Sequence, residues 1–450
     1  MRKTAASITT ATRNAPARAN CKWRSDIVST LFLARYLLPI TAPPIEDGAL
    51  LVDGGRILEV GTRQSMTATA SGAAVIDFGD AILLPPLVNA HTHLELTHFP
   101  RWRAEAGETI APGGDFVDWI LHVIRVKRGL PLDRFESSVA AGIAASLAAG
   151  TGAVGDILSY FPARTAYRHS PLKGRLYLET LGLDPAQGRQ LLSRIGTLLD
   201  EKRAGQLRLG IAPHSSYSIS AEYLAQIIDF ARRRKVATTL HLAEAPAEVS
   251  FIRDSSGPLA DKLYPYVGWQ GMAPPPARRS PVAWAEQCGA LVPSCLLAHG
   301  VQIDADDAAR LARAGSTVVC CPRSNARLGV GRLPVELYRA AGVPLALGTD
   351  SLASNETLSV WDEIAFARQW LSGKIAPAEL LTMATIHGAR ALGVAADQGE
   401  LKAGLGCNFQ VLKPAELPAF AELEEFLCAP GRTAEVASLF LDAWDVLQKS

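Results

Sequence analysis

Charge of either sign is not in excess in this chain of 450 residues: 45 lysines and arginines stand against 44 aspartates and glutamates. That balance provides no broad electrostatic footprint for nucleic acid or an anionic membrane, and it suits a small, neutral or weakly charged partner. Cysteine is scarce, with seven residues scattered singly apart from Cys320 and Cys321, and none in C-x-x-C spacing. Structural zinc knuckles and dithiol redox motifs are thereby excluded, and an odd, unpatterned count suits reduced thiols in a cytoplasmic protein. Long apolar runs are missing too. The longest uncharged stretch, 137–155, is mostly Ala and Gly and too weakly hydrophobic to span a membrane. No G-x-G-x-x-G follows an early strand-like run, and "GVGRLP" from Gly329 has Pro334 where the third glycine belongs, so a dinucleotide cradle is not expected.

What is present is a succession of short apolar runs. Residues 1–27 carry six basic side chains and one acid, Asp26, with no apolar core, and read as a disordered or leader-like tail rather than a secretory signal. Residues 28–83 read as a small β domain, with Asp53, Gly54 and Gly55 turning between two apolar runs. Eight strand-length runs then follow, at 81–90, 152–157, 174–181, 207–213, 236–243, 294–299, 316–322 and 343–350. Amphipathic helical stretches separate most of them, such as 221–235 behind Ser220 and 304–315 ending on Gly315. Eight such units predict an α/β fold, a (β/α)8 TIM barrel over 84–398. The run 407–414 predicts a strand returning to the N-terminal β domain, which makes a small, discontinuous β-sandwich accessory domain. The rest of 399–450 reads as two C-terminal helices broken at Cys428-Ala-Pro-Gly.

Barrel chemistry belongs at strand C-terminal ends, and five of the nine histidines fall there. His91 and His93 directly follow the first run, His214 follows the fourth, His241 closes the fifth and His299 the sixth. Asp156, Glu179 and Asp350 end the second, third and eighth, and Glu244 follows His241 by three residues. In an extended segment His91 and His93 share a face and can grip one metal. A buried His–Glu pair or a helix-capping Asp would explain His241 with Glu244, or Asp350, taken alone. Three histidines and an aspartate on one rim read together as a metal site.

The segments "LLPPLVNAHTHLELTHF", "APHSSYSIS", "TTLHLAEAPAEV", "LLAHGVQID", "CCPRSNARLGVG" and "LALGTDSLASNETLSVWDEI", in this order, resemble the amidohydrolase superfamily. The branch they resemble holds cytosine and guanine deaminases, triazine chlorohydrolases and nucleoside-type deaminases. "HTHLEL" and the stretch from "CPRSN" to "GTDSLASN" are similar to aminofutalosine deaminase-like members. The resemblance implies that His91, His93, His241 and Asp350 hold one divalent metal per chain, zinc or, as the alternative, iron. It implies that Glu244 shuttles a proton, that His299 and Asp350 assist at the reacting oxygen, and that His214 contacts substrate. No lysine stands at a strand end to bridge two ions, so the site is expected to be mononuclear. Pro86 replaces the family's usual glycine, and the tail lacks the acid-rich form common near the last strand.

The implied reaction is hydrolytic deamination of an aminated, purine nucleoside-like heterocycle by metal-activated water, releasing ammonia. The other zinc deaminase pattern, H-x-E with P-C-x-x-C, is absent, and Cys320 and Cys321 read as strand core. Trp119, His122 and Arg125 recur every three residues and could line a helix over the pocket, or an outer helix with Trp119 in the core. Arg125, Arg323 and Arg327 are candidates to bind a substrate carboxylate. A triazine-type or cyclic-amide hydrolase is the alternative, and a catalytically silent binding barrel a remote one. The partner expected is thus a small heterocycle, with no nucleic acid and no membrane; a homo-oligomer is compatible with the family.

Overall fold

The computed structural model describes residues 29–109 and 113–448; the tail expected at 1–27 lies outside them. The chain opens with β1 (Thr30–Leu37), β2 (Ile45–Asp53), β3 (Arg56–Thr62), β4 (Ala74–Asp77) and β5 (Ile82–Leu84). It then enters the barrel with β6 (Leu87–Thr92), β7 (Thr151–Leu158) and β8 (Lys173–Thr180), a two-residue strand β9 (Arg203–Ala204) flanking β10 (Leu207–Pro213). The barrel continues through β11 (Thr238–Leu242), β12 (Cys295–His299), β13 (Thr317–Cys320) and β14 (Leu345–Leu347). Strands β6, β7, β8, β10, β11, β12, β13 and β14 lie side by side in parallel, and a bridge between Thr92 and Asp350 joins the last to the first. This is the (β/α)8 barrel that eight alternating units predict.

The strands alternate faces, so each reads as a continuous apolar run while serving two cores. Val88, Ala90, Ala153, Ile157, Tyr177, Ala212, Val319, Cys321 and Ala346 fill the barrel interior. Their neighbours Leu176, Leu178, Leu240, Val318 and Cys320 pack against the helices. Cys320 and Cys321 therefore both serve as core, on opposite faces. The helix Ala221–Arg234 starts at Ser220, whose side chain accepts from Tyr223 N, and Ala305–Ala314 starts at Asp304, which caps Asp307 N. Gly315 ends the latter at φ +64°, a conformation that costs glycine nothing. No helix among the described residues is long and apolar enough to cross a membrane.

Two elements differ from expectation. The run 81–90 is two strands, because Pro85 and Pro86 lack the N–H needed to continue a ladder. β5 stays in the accessory sheet and β6 begins the barrel. The segment expected as a second C-terminal helix is instead β16 (Ala434–Leu441) with β17 (Trp444–Asp445), while the first is a 3-10 turn, Phe420–Glu422, running into the α-helix Leu423–Cys428. Pairing with β15 (Phe409–Pro414) satisfies the backbone of β16 and stacks Phe440 on Phe409, with centroids 4.4 Å apart. The accessory sheet runs β17-β16-β15-β5-β1-β2-β3, with β4 also on β1, and so takes strands from both ends of the chain. Phe32 and Phe78 complete its aromatic core. Gln410 ties it to the barrel, donating to Pro85 O and accepting from Trp361 Nε1.

Candidate active site at the barrel mouth

The strand ends bring the histidines together. His93 Nε2 lies 3.2 Å from His241 Nε2, and Asp350 Oδ1 lies 3.6 Å from the Nε2 atoms of both His91 and His93. Ligand-type atoms of His91, His93 and Asp350 lie within 4.8 Å of one another, as do those of His91, His241 and His299. His91 Nε2 is buried with no hydrogen-bond partner. A polar atom left unpaired in the interior is costly, and a lone pair aimed into a nest of imidazoles and a carboxylate fits a metal ion.

Each of these groups is oriented from behind. His241 Nδ1 donates to His214 O at 2.7 Å, which turns its Nε2 lone pair toward the cluster. Asp350 Oδ2 accepts from Ser324 Oγ at 2.7 Å and Ser354 Oγ at 2.8 Å, leaving Oδ1 facing the histidines. His299 Nδ1 donates to Asn325 Oδ1 at 3.0 Å, and its Nε2 stands 3.6 Å from Glu244 Oε1. Glu248 accepts from Ala243 N at 3.0 Å and Glu244 N at 2.7 Å, so one carboxylate fixes the turn that presents the other. Ala243, His299 and Asp350 all hold positive φ, at 53°, 73° and 56°, where non-glycine residues are strained. Two residues before Asp350, Gly348 lies against His91, and a Cβ there would fall 2.7 Å from His91 O.

The electrostatics suit neutral imidazoles beside an ionised carboxylate. Burial, then His91, pushes His93 down to about 3; burial, then Lys127, pushes His214 down to about 4. Burial works against an ionised Asp350, yet the imidazoles of His91 and His93, with their Nε2 atoms 3.6 Å from Oδ1, hold it well below the usual range. Glu244 moves the other way, raised well above its ordinary value by burial and by the charges of Asp350 and Glu248.

The remaining sequence-derived residues fall into three places. His214 turns Nδ1 to the hydroxyls of Ser215 and Ser218, and its ring centroid lies 5.2 Å from that of His241. Asp156, raised to about 8 by burial, accepts from Leu94 N and Tyr167 Oη and so secures the turn after His93. The helix Phe116–Arg128 covers the mouth: Trp119 Nε1 donates to Ala353 O, and Lys262 pairs with Asp115 and Asp118. His122 on that helix is buried against Phe99 rather than turned to the pocket with its neighbours. The three arginines are already engaged by acids. Arg125 pairs with Glu108, while Arg323 and Arg327 share Glu356. Glu248, Asn325, Ser324 and Ser354 escape motif reading because they act from behind Glu244, His299 and Asp350; the acid four residues past Glu244 is the one local sign.

A barrel with an imidazole and carboxylate nest at the C-terminal ends of its strands defines a barrel hydrolase. The chain belongs to the amidohydrolase family, whose model matches residues 82–428. It is 34% identical over 356 residues to an aminodeoxyfutalosine deaminase of Deinococcus radiodurans, covering 77% of this chain and 81% of that one. It is 29% identical over 364 residues to a 5-methylthioadenosine/S-adenosylhomocysteine deaminase of Nitratidesulfovibrio vulgaris, covering 77% and 75%. Among solved structures, Helicobacter pylori aminofutalosine deaminase in complex with methylthio-coformycin superposes with a TM-score of 0.81 at 22% identity, covering 93% of this chain and all of that one.

Two predictions arise from the supporting residues. Replacing Asn325 with Ala frees the His299 ring, and we expect kcat/KM to fall by about 10- to 100-fold at unchanged metal content. Loss of bound metal in that variant would instead make His299 a ligand. Glu363 is buried, accepts from Asn355 Nδ2 at 2.6 Å and Arg323 N at 3.1 Å, and is raised from 4.5 to about 8 by burial. A carboxyl raised on folding stabilises fully below pH 4.5, and that contribution is lost as pH rises through about 8. Thermal midpoints of chelated protein should therefore fall less steeply over this range for Glu363→Gln than for wild type; equal slopes would refute it.

Proposed function

We propose that the chain is a mononuclear metal-dependent deaminase of an adenosine-like nucleoside, acting in the cytosol. The carrying observation is the convergence of His91, His93, His241 and Asp350 around the unpartnered His91 Nε2. Three imidazole nitrogens and one carboxylate oxygen suit a divalent first-row ion, zinc first and iron as the alternative. Such an ion, when bound, lowers the pKa of a coordinated water and so supplies a nucleophile at neutral pH.

The chain's own residues account for the protons. Glu244, buried beside His299, takes a proton from the attacking water and delivers it to the ring nitrogen next to the attacked carbon. A raised affinity for that proton is what burial and two neighbouring carboxylates produce. Glu244, ionised again, then carries the proton of the added hydroxyl to the amino group, which leaves as ammonia as the C–N bond breaks and the carbonyl forms. His299, held by Asn325, steadies the incoming oxygen, and Asp350 orients the water. His214, with Nε2 free, and Trp119 of the covering helix flank the ring. The arginines, engaged by acids, take no part in this reading. The six described cysteines are free and buried, in keeping with a reducing compartment.

The test is ammonia release by metal-loaded protein from adenosine, 5′-methylthioadenosine, aminofutalosine, guanine, cytosine and aminotriazines. Turnover of an adenosine-like nucleoside supports the proposal. Release from a triazine alone, or none from any compound at one bound metal per chain, would overturn it.

A further inference from the structure

Strand β8 turns Tyr177 into the barrel interior and Leu176 and Leu178 toward the helices. By the same alternation Glu179 faces inward, at the mouth. It stands between Ser159, just past β7, and His214, just past β10, since Leu178 pairs with Leu158 and Ala212 with Glu179. No hydrogen bond or ion pair joins the Glu179 carboxylate to any described residue. Burial raises it to about 7, with Lys127 opposing and Glu95 adding.

Lys127 reaches in from the covering helix to Ser159, the strand end next to that of Glu179. Its Nζ donates to Glu95 Oε1 and Ser159 Oγ, each at 3.0 Å. Glu95 is saturated, because Ser159 N, Tyr160 N and Ser159 Oγ also donate to it. An ammonium has three N–H groups, so one of Lys127 is left over, and the carboxylate of Glu179 is left over whole. His214, two residues past the Ala212 that pairs with Glu179, leads from this pair to the metal-site histidines, as its ring lies against His241.

A leftover donor beside a leftover acceptor selects the group that fills it. A carboxylate substituent would meet Lys127 but be repelled by Glu179 and Glu95, and an ammonium would meet the reverse conflict. An apolar substituent would strand both charges. A vicinal diol fits, since each hydroxyl donates and accepts. We propose that Glu179 and Lys127 form a subsite for the sugar hydroxyls of the substrate, so that the pocket selects a ribonucleoside over its free base. This rests on the deaminase reading for which ring lies at the metal site, and names two further substrate-binding residues.

Binding separates the two claims. In metal-loaded protein carrying Glu244→Gln to prevent turnover, calorimetry with adenosine, 2′,3′-dideoxyadenosine and adenine should show adenosine binding at least about tenfold tighter than either other ligand. Adding Glu179→Met, which removes the acceptor at similar volume, should bring adenosine and the dideoxy analogue within a few-fold. Equal binding of adenosine and its dideoxy analogue without the Met substitution, binding of none of the three, or discrimination that survives the substitution would overturn the subsite. The ligand comparison needs no Glu179 variant, so a folding failure there does not remove the test. Ammonia release by the wild-type protein is read separately. Discrimination without ammonia would sink the deaminase and keep the subsite, and ammonia without discrimination the reverse.

Discussion

Glu244→Gln is expected to lower kcat by about 10³- to 10⁴-fold while one metal remains bound per chain. Glutamine keeps the size and polarity of the side chain but cannot take up and release a proton. The Glu244 backbone stays in place, because Glu248 holds its N–H and that of Ala243. The carboxyl stands 3.6 Å from His299 Nε2 and is shielded from water. No second carboxylate in the nest can substitute for it, since Asp350 is tied by Ser324 and Ser354 and faces the imidazoles. Turnover measured beside metal content decides the matter. A variant within tenfold of wild type would move the proton transfer to another group.

Metal removal should have the other large effect. His91, His93 and His241 are packed with His91–His241 centroids 4.9 Å apart, and burial lowers the pKa of all three, so the cluster presents neutral lone pairs at neutral pH. An ion that binds only the folded chain stabilises it by about 2.7 kcal/mol when its free concentration is ~100-fold above Kd. Chelation should abolish ammonia release and lower the thermal midpoint, and one equivalent of zinc should restore both. Asp350→Ala should reproduce the chelated state and resist rescue. Restoration only at two equivalents, or an unchanged midpoint, would contradict a single site.

How much of this is legible in the sequence depends on the kind of physics involved. The eight strands are legible because a buried parallel strand needs an unbroken apolar run, and the spacing between runs is that of helices. The boundary inside 81–90 is obscured by those same apolar residues; only the two prolines mark it. β16 misleads for a different reason. "AEVASLFLDAWDVL" carries apolar residues at spacings that suit a helix as well as a strand, and only pairing with a distant β15 settles the choice. Histidines at strand ends stand out because polar residues are rare there. Residues acting through them, such as Asn325 behind His299, come from another element, the short helix Pro322–Arg327, 26 positions away in the case of Asn325, and carry no local pattern. The arginines show the converse. Their charge is visible in the sequence, but their partners Glu108 and Glu356 are not.

The closure of the barrel is unlike its other joints. β14 has three residues, and Asp350 meets β6 through one bridge at Thr92. Side chains supplement the one backbone bond there, from Asp350 N to His91 O: Asn89 exchanges hydrogen bonds with Thr349, and Thr92 Oγ1 donates to Asp350 O. The proposed ligands His91 and His93 therefore sit on one lip of a seam and Asp350 on the other. An ion held between them acts as a clasp on a split ring. Binding of the ion and closure of the ring would thus reinforce one another, each favouring the arrangement that the other needs.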